Sequence, residues 1–153
     1  MDSSITNHHK NVATLIQLSV FSKFIIPLGN FVAPIILWVL NKDRSKFIDE
    51  NGKQALNFQL SILIYSMILA VLGFSVFAYN NESIWNYIPM IMRHDHFVID
   101  DFGLIQQNLL FGISAIAVVI AYKVFEIVCV VTAAIKAKNG EAYQYPITIK
   151  FLK

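Results

Sequence analysis

Apolar positions along the chain gather into three long runs separated by short polar blocks. The first run covers positions 12–40 and is interrupted by Lys23, Pro27, Gly29, Asn30 and Pro34. Its two parts on either side of positions 27–30, residues 12–26 and 31–41, would reach about 22 Å and about 17 Å as helices, each short of a roughly 30 Å hydrocarbon core. Proline lacks an amide donor and disfavours helix in the residue before it, while Gly29 and Asn30 permit a turn. The run reads either as one long kinked span or as two short helices in a hairpin, and we take the hairpin. Irregular backbone at membrane depth must be satisfied by protein or water, so residues 26–34 should face the interior or the interface.

The second run, residues 60–78, carries no charge and is long enough to cross a bilayer. Its helix should begin earlier: Asn51 and Gln54 resemble a capping pair beside a break at Gly52, with Ser45 as an alternative cap. The third run, residues 104–137, would extend about 51 Å as one helix, so one end should project into water or the helix should tilt. Asn139 and Gly140 form a stop signal, because glycine adopts the left-handed conformation that closes a helix. Beyond it, Ile147, Ile149 and Phe151 alternate with Thr148 and Lys150, the pattern of a short strand or an interfacial tail. Between the second and third runs, residues 80–103 set Glu82, Asp95, Asp100 and Asp101 against a single Arg93. Trp85, Tyr87 and Pro89 in that block suit the headgroup level. The pattern predicts an all-α integral membrane helical bundle in one domain, residues 1–153. It has about four hydrophobic segments (12–26, 31–41, 54–79 and 104–138), an outer loop at 80–103 and a tail at 139–153.

Composition agrees. Of 153 residues, 56% are hydrophobic and 14% charged, whereas a soluble domain has about 45–50% and about 25%. Mean hydropathy is +0.57. A formal charge of +2 without a basic stripe gives no footprint for nucleic acid. One cysteine excludes a disulfide scaffold and a cysteine-ligated zinc site. The basic residues are placed by side. Lys42, Arg44, Lys46 and Lys53 follow the first run, and Lys136, Lys138, Lys150 and Lys153 follow the third. The positive-inside rule puts both groups in the cytoplasm and the acidic block outside. With a hairpin, the N-terminus is also cytoplasmic, in line with Lys10 and Lys23. The absence of a small-residue cleavage pattern reads the first run as retained rather than as a signal peptide.

Polar residues inside apolar runs are the candidate chemistry. Lys123 and Glu126 lie three apart on one helical face of the third run. They read first as a self-neutralised pair with Lys123 snorkelling, and second as part of a proton or ion relay. Gln54, Asn57, Ser61 and Tyr65 form one stripe on the second helix, favouring interhelical packing over a hydrophilic groove for a peptide or solute. Ala117, Ala121, Ala133 and Ala137 allow close helix approach. His94, Asp95 and His96 with Asp100 and Asp101 are metal-capable but match no zinc or calcium spacing, and read as a solvated loop. His8 and His9 flank a terminus, and Cys129 has no base nearby in sequence. With no nucleophile elbow, phosphate loop or dinucleotide fingerprint, we assign no catalytic, cofactor-binding or metal residue, and no cofactor. The small-molecule ligand, if there is one, is not named by the sequence.

Two stretches carry a family resemblance. One runs from Phe24, Ile25, Ile26, Pro27, Leu28, Gly29 and Asn30 through Pro34 and Trp38 to Asp49, Glu50, Asn51, Gly52, Lys53, Gln54, Asn57, Phe58 and Gln59. The other joins Ala134, Lys136, Asn139, Gly140, Glu141, Tyr143, Tyr145 and Pro146. Together they resemble a family of small bacterial membrane proteins grouped with the Tic-twenty-like proteins, after a component of chloroplast inner-envelope import. The resemblance implies a multi-pass bacterial inner-membrane protein with about four hydrophobic segments, and it carries no catalytic residue. The expected role is a non-enzymatic scaffold or subunit whose partners are the bilayer and other membrane proteins or further copies, with translocation implied by the resemblance alone. The alternatives are a small transporter or channel subunit using Lys123 and Glu126, and a membrane-embedded enzyme acting on lipid headgroups.

Overall fold

The computed structural model describes residues 5–80 and 102–152. The acidic block, its aromatic residues and the His94–Asp95–His96 cluster lie outside the described residues. Among the described residues there are four α-helices and no strand. They are α1 (Asn7–Ser19), α2 (Gly29–Asn41), α3 (Lys46–Asn80) and α4 (Phe102–Asn139).

Thr6 starts α1: its hydroxyl accepts the His9 amide at 3.4 Å, while His9 Nδ1 accepts the Thr6 amide at 3.5 Å. The helix tightens into a 3-10 turn at Val20–Phe24, where the Ser22 carbonyl accepts the amides of both Ile25 and Ile26. Pro27 cannot continue it. The chain then reverses, and α2 begins at Gly29. This is the hairpin reading of the first run. The left-handed residue is Leu28 (φ 61°, ψ 11°) and not the glycine. Gly29 serves a different need, because a Cβ there would stand 2.6 Å from the Ser22 carbonyl oxygen.

A second 3-10 turn, Lys42–Arg44, leads to Ser45, whose hydroxyl accepts the Phe47 amide at 3.2 Å and whose carbonyl accepts those of Ile48 and Asp49. Ser45 is therefore where α3 starts, and Asn51 and Gly52 lie within an unbroken helix. That glycine is a packing device. A Cβ at Gly52 would lie 2.2 Å from Trp38 Cδ1, so the indole of α2 occupies the place of a side chain on α3. At the other end of the chain, α4 closes in a Schellman motif. Gly140 (φ 85°) donates to the Ala137 carbonyl and Glu141 to that of Lys136.

At 1.5 Å per residue α3 and α4 are about 52 Å and about 57 Å long, while α1 and α2 reach only about 20 Å each. Lys46–Tyr79 and Asn108–Asn139 are long and apolar enough to cross a membrane, with mean hydropathy of 2.3 and 2.2 in their most apolar windows. Only 11% and 17% of those windows are buried within the chain, so neither is the core helix of a soluble bundle.

The chain divides into two compact units. The first, Met1–Ile64 with Val124–Lys153, gathers the hairpin, the start of α3, the end of α4 and the tail. Ala13 packs with Phe47 and Ala137, and Ile16 with Ile48, Ala55 and Trp38. Small residues on α4 (Ala133, Ala134 and Ala137) are buried there, where close backbone approach needs them. The second unit, Tyr65–Lys123, is built from the remaining lengths of α3 and α4, with the Phe77 and Phe111 rings 6.0 Å apart. Ala117 and Ala121 belong to this unit and are exposed.

Candidate functional site

The first unit contains a seam of buried polar side chains. It begins at Gln17 on α1, which is fully buried although it sits on an otherwise apolar face. Its amide nitrogen donates to both the carbonyl and the side-chain oxygen of Asn51, each at 3.2 Å, and its oxygen accepts the Tyr145 hydroxyl at 2.5 Å. The Tyr145 ring stacks on Phe58 with centroids 4.1 Å apart. Burial pushes the Tyr145 phenol above its ordinary range, with Cys129 and Tyr143 adding to the effect, so the group stays protonated and donates. A helix residue, a stacked ring and the tail are thus joined through one amide.

Further along α3, the stripe residues bind backbone. Asn57 Nδ2 donates to the Leu152 carbonyl at 2.9 Å, and Asn57 Oδ1 accepts the amides of Phe151 and Leu152 at 3.1 and 2.8 Å. Ser61 accepts the Ile149 amide at 2.9 Å and donates to the Asn57 carbonyl at 2.8 Å. The alternating tail is not a strand here. Its amides at Ile149 and Phe151 find partners in a helix's side chains rather than in a second strand. Gln54 is partly buried beside this group, and Tyr65 falls in the second unit, so the stripe divides after Ser61.

Among the described residues the deepest charge is Glu126, 1% exposed. It is ion-paired with Lys23, which follows α1 in the 3-10 turn. Lys123 lies with its ammonium 5.6 Å from the Tyr122 ring centroid, and belongs to the second unit. The sequence held a signal for the Lys23 pairing that spacing along one helix misses. Lys23 is the lone charge of the first apolar run and Glu126 the lone acid of the third. Nearby, Asn30 donates to the Gln59 side-chain oxygen at 2.9 Å. At the start of α3, Trp38 Nε1 donates to Asp49 at 2.9 Å, Lys53 pairs with Asp49 at 2.6 Å and Lys46 approaches Glu50 at 3.8 Å. Gly140 receives the Lys10 side chain against its Cα, and exposed Pro146 follows the buried Tyr145. The two stretches singled out for resemblance are therefore brought together in one unit.

A protein-family model described as the magnetosome magnetite crystal formation family matches residues 8–152. The chain belongs to that family. Magnetosome-family membership covers both spanning helices, the hairpin and the tail, and it makes this a bacterial membrane protein. The family is described by crystal formation and not by a catalysed reaction. The comparisons do not show the Tic-twenty likeness. No curated protein and no solved structure gives a significant match.

Proposed function

We propose that this chain is a non-enzymatic membrane subunit that organises other membrane proteins or further copies of itself. Its family suggests where it acts, at a bacterial membrane associated with magnetite crystal formation, and the distribution of Lys and Arg favours both termini on the cytoplasmic side. The observation that carries this reading is the occupation of the polar stripe. Asn57 and Ser61, the residues that could have lined a path for solute, hold the chain's own tail. Gln17, Asn51 and Tyr145 join helix to helix to tail. Polar groups used in this way specify a rigid assembly, and the long apolar surfaces of α3 and α4 are left for lipid and neighbours. Translocation finds no such support.

The test is photo-crosslinking in native membranes from Glu50, which is exposed at the start of α3. Discrete adducts with other membrane proteins or with a second copy are expected; a chain that stays monomeric and partner-free overturns the proposal. The pairing of Lys23 with the buried Glu126 favours a second reading, transport, in which Lys123 also takes part. Proton flux in liposomes that changes with Glu126→Gln, Lys23→Met or Lys123→Met supports it, and absent or unchanged flux discards it.

A further inference from the structure

We propose that the second unit carries a binding site for one anionic phospholipid, with an acyl chain in the groove between α3 and α4 and the headgroup phosphate at Lys123. The groove has a volume of about 470 Å³, within the range of about 300–1,000 Å³ typical of small-molecule sites. Its walls are apolar, with Leu69 and Val76 on α3 facing Phe111 and Val118 on α4. Its depth comes from Gly73 and Ala115. At Gly52 the missing Cβ is filled by an indole, whereas a Cβ at Gly73 would meet nothing within 4 Å.

The ends of the groove differ. Phe77 and Phe111 approach each other near one end. The other end carries Ser66, Tyr122 and Lys123, so an otherwise apolar channel finishes in a hydroxyl, a phenol and the side chain of an exposed lysine. From Val76 to Ser66 is ten helical steps, about 15 Å. That length is within the reach of one acyl chain, and a headgroup at the Lys123 end is met by a lysine stem that extends toward the interface. A spanning helix of a second copy would need a groove along about 20 residues. In sequence, Ser66 and Lys123 are the groove residues nearest to the basic groups at Lys53 and Lys136, which the distribution of Lys and Arg assigns to the cytoplasmic side. Anionic headgroups are drawn to basic positions between helices on that side, and a lysine stem can snorkel to meet them. This site stands apart from the scaffold role and does not depend on it.

Native mass spectrometry of the detergent-solubilised full chain, titrated with dioleoylphosphatidylglycerol or dioleoylphosphatidylcholine, tests the proposal. The wild type should retain the anionic lipid roughly fivefold more tightly than the zwitterionic one. Lys123→Met should bring the two lipids level, and Gly73→Leu, which fills the groove, should weaken both at least fivefold while circular dichroism shows unchanged helicity. Equal retention of the two lipids by the wild type, or anionic-lipid retention untouched by Lys123→Met, overturns the site. A wild-type dimer that Gly73→Leu dissolves also overturns it, naming a second copy as the occupant.

Discussion

Gly52 and Gly73 are both interior helix residues of α3, yet substitution at the two should have opposite consequences. A methyl group at Gly52 collides with Trp38, and the indole is also tied to Asp49. Gly52→Ala should therefore cost about 1–3 kcal/mol, the usual penalty for overpacking. In a Trp38→Ala background the same change should be close to neutral or favourable. Gly73→Ala meets no neighbour and should stabilise α3 by up to about 1 kcal/mol through helix propensity. Thermal unfolding in detergent micelles separates the three. The Lys23–Glu126 pair supplies a second residue-scale prediction. Lys23→Met removes the ammonium paired with the buried Glu126 carboxylate and should destabilise by about 3 kcal/mol, with much of the loss recovered by adding Glu126→Gln. A double-mutant cycle that finds the two changes additive rejects the coupling. Neither pairing is reached by spacing along one helix, because Trp38 and Gly52 are on different helices and Lys23 is far from Glu126 in sequence; only the scarcity of charge in the apolar runs pointed to the second.

At the scale of elements, the hairpin and the tail decide how the first unit is held. The reversal rests on Leu28 in the left-handed region, where a non-glycine residue is disfavoured by roughly 1–2 kcal/mol. Leu28→Gly should raise the unfolding midpoint by an amount equivalent to about 1 kcal/mol, and a lowered midpoint would place the Leu28 side chain in a stabilising contact instead. The tail is fastened by Asn57 and Ser61, which together make four bonds to its backbone. Asn57→Ala removes three of them. Each is worth about 1 kcal/mol, so trypsin should cut after exposed Lys150 at least tenfold faster than in the wild type. An unchanged cleavage rate means the tail is held elsewhere. The stripe itself was visible from its helical spacing, but its role was not, since the hydrogen-bond partners are backbone groups that no side-chain pattern reveals.

For the whole molecule, the division into two units matters more than the number of apolar segments. Short α1 and α2 cannot each reach across a bilayer, while α3 and α4 can. The distribution of Lys and Arg then requires the loop before α3 and the tail after α4 to share one side. In a Cys129→Ser background, Ser45→Cys and Lys150→Cys should both react with a membrane-impermeant maleimide only when the cytoplasmic face is open to it. Labelling from opposite faces removes the topology.

Hydrophobic run length, the prolines and Gly140 by themselves determined that the protein is helical, membrane-spanning, broken in its first run and closed after its last. These are local properties: the cost of unsatisfied backbone in lipid and the conformational limits of proline and glycine act within a few residues. Tertiary structure alone decided that Ser45 starts α3, that Gly52 yields its space to Trp38, that Glu126 pairs with Lys23 and that Asn57 grips the tail. Each depends on which groups distant in sequence are desolvated together, and burial selects partners by proximity in space. The scarce charge is a case of both. Its placement by side was legible along the chain, while Glu126, the deeply buried charge among the described residues, met Lys23 only through the folding of the hairpin.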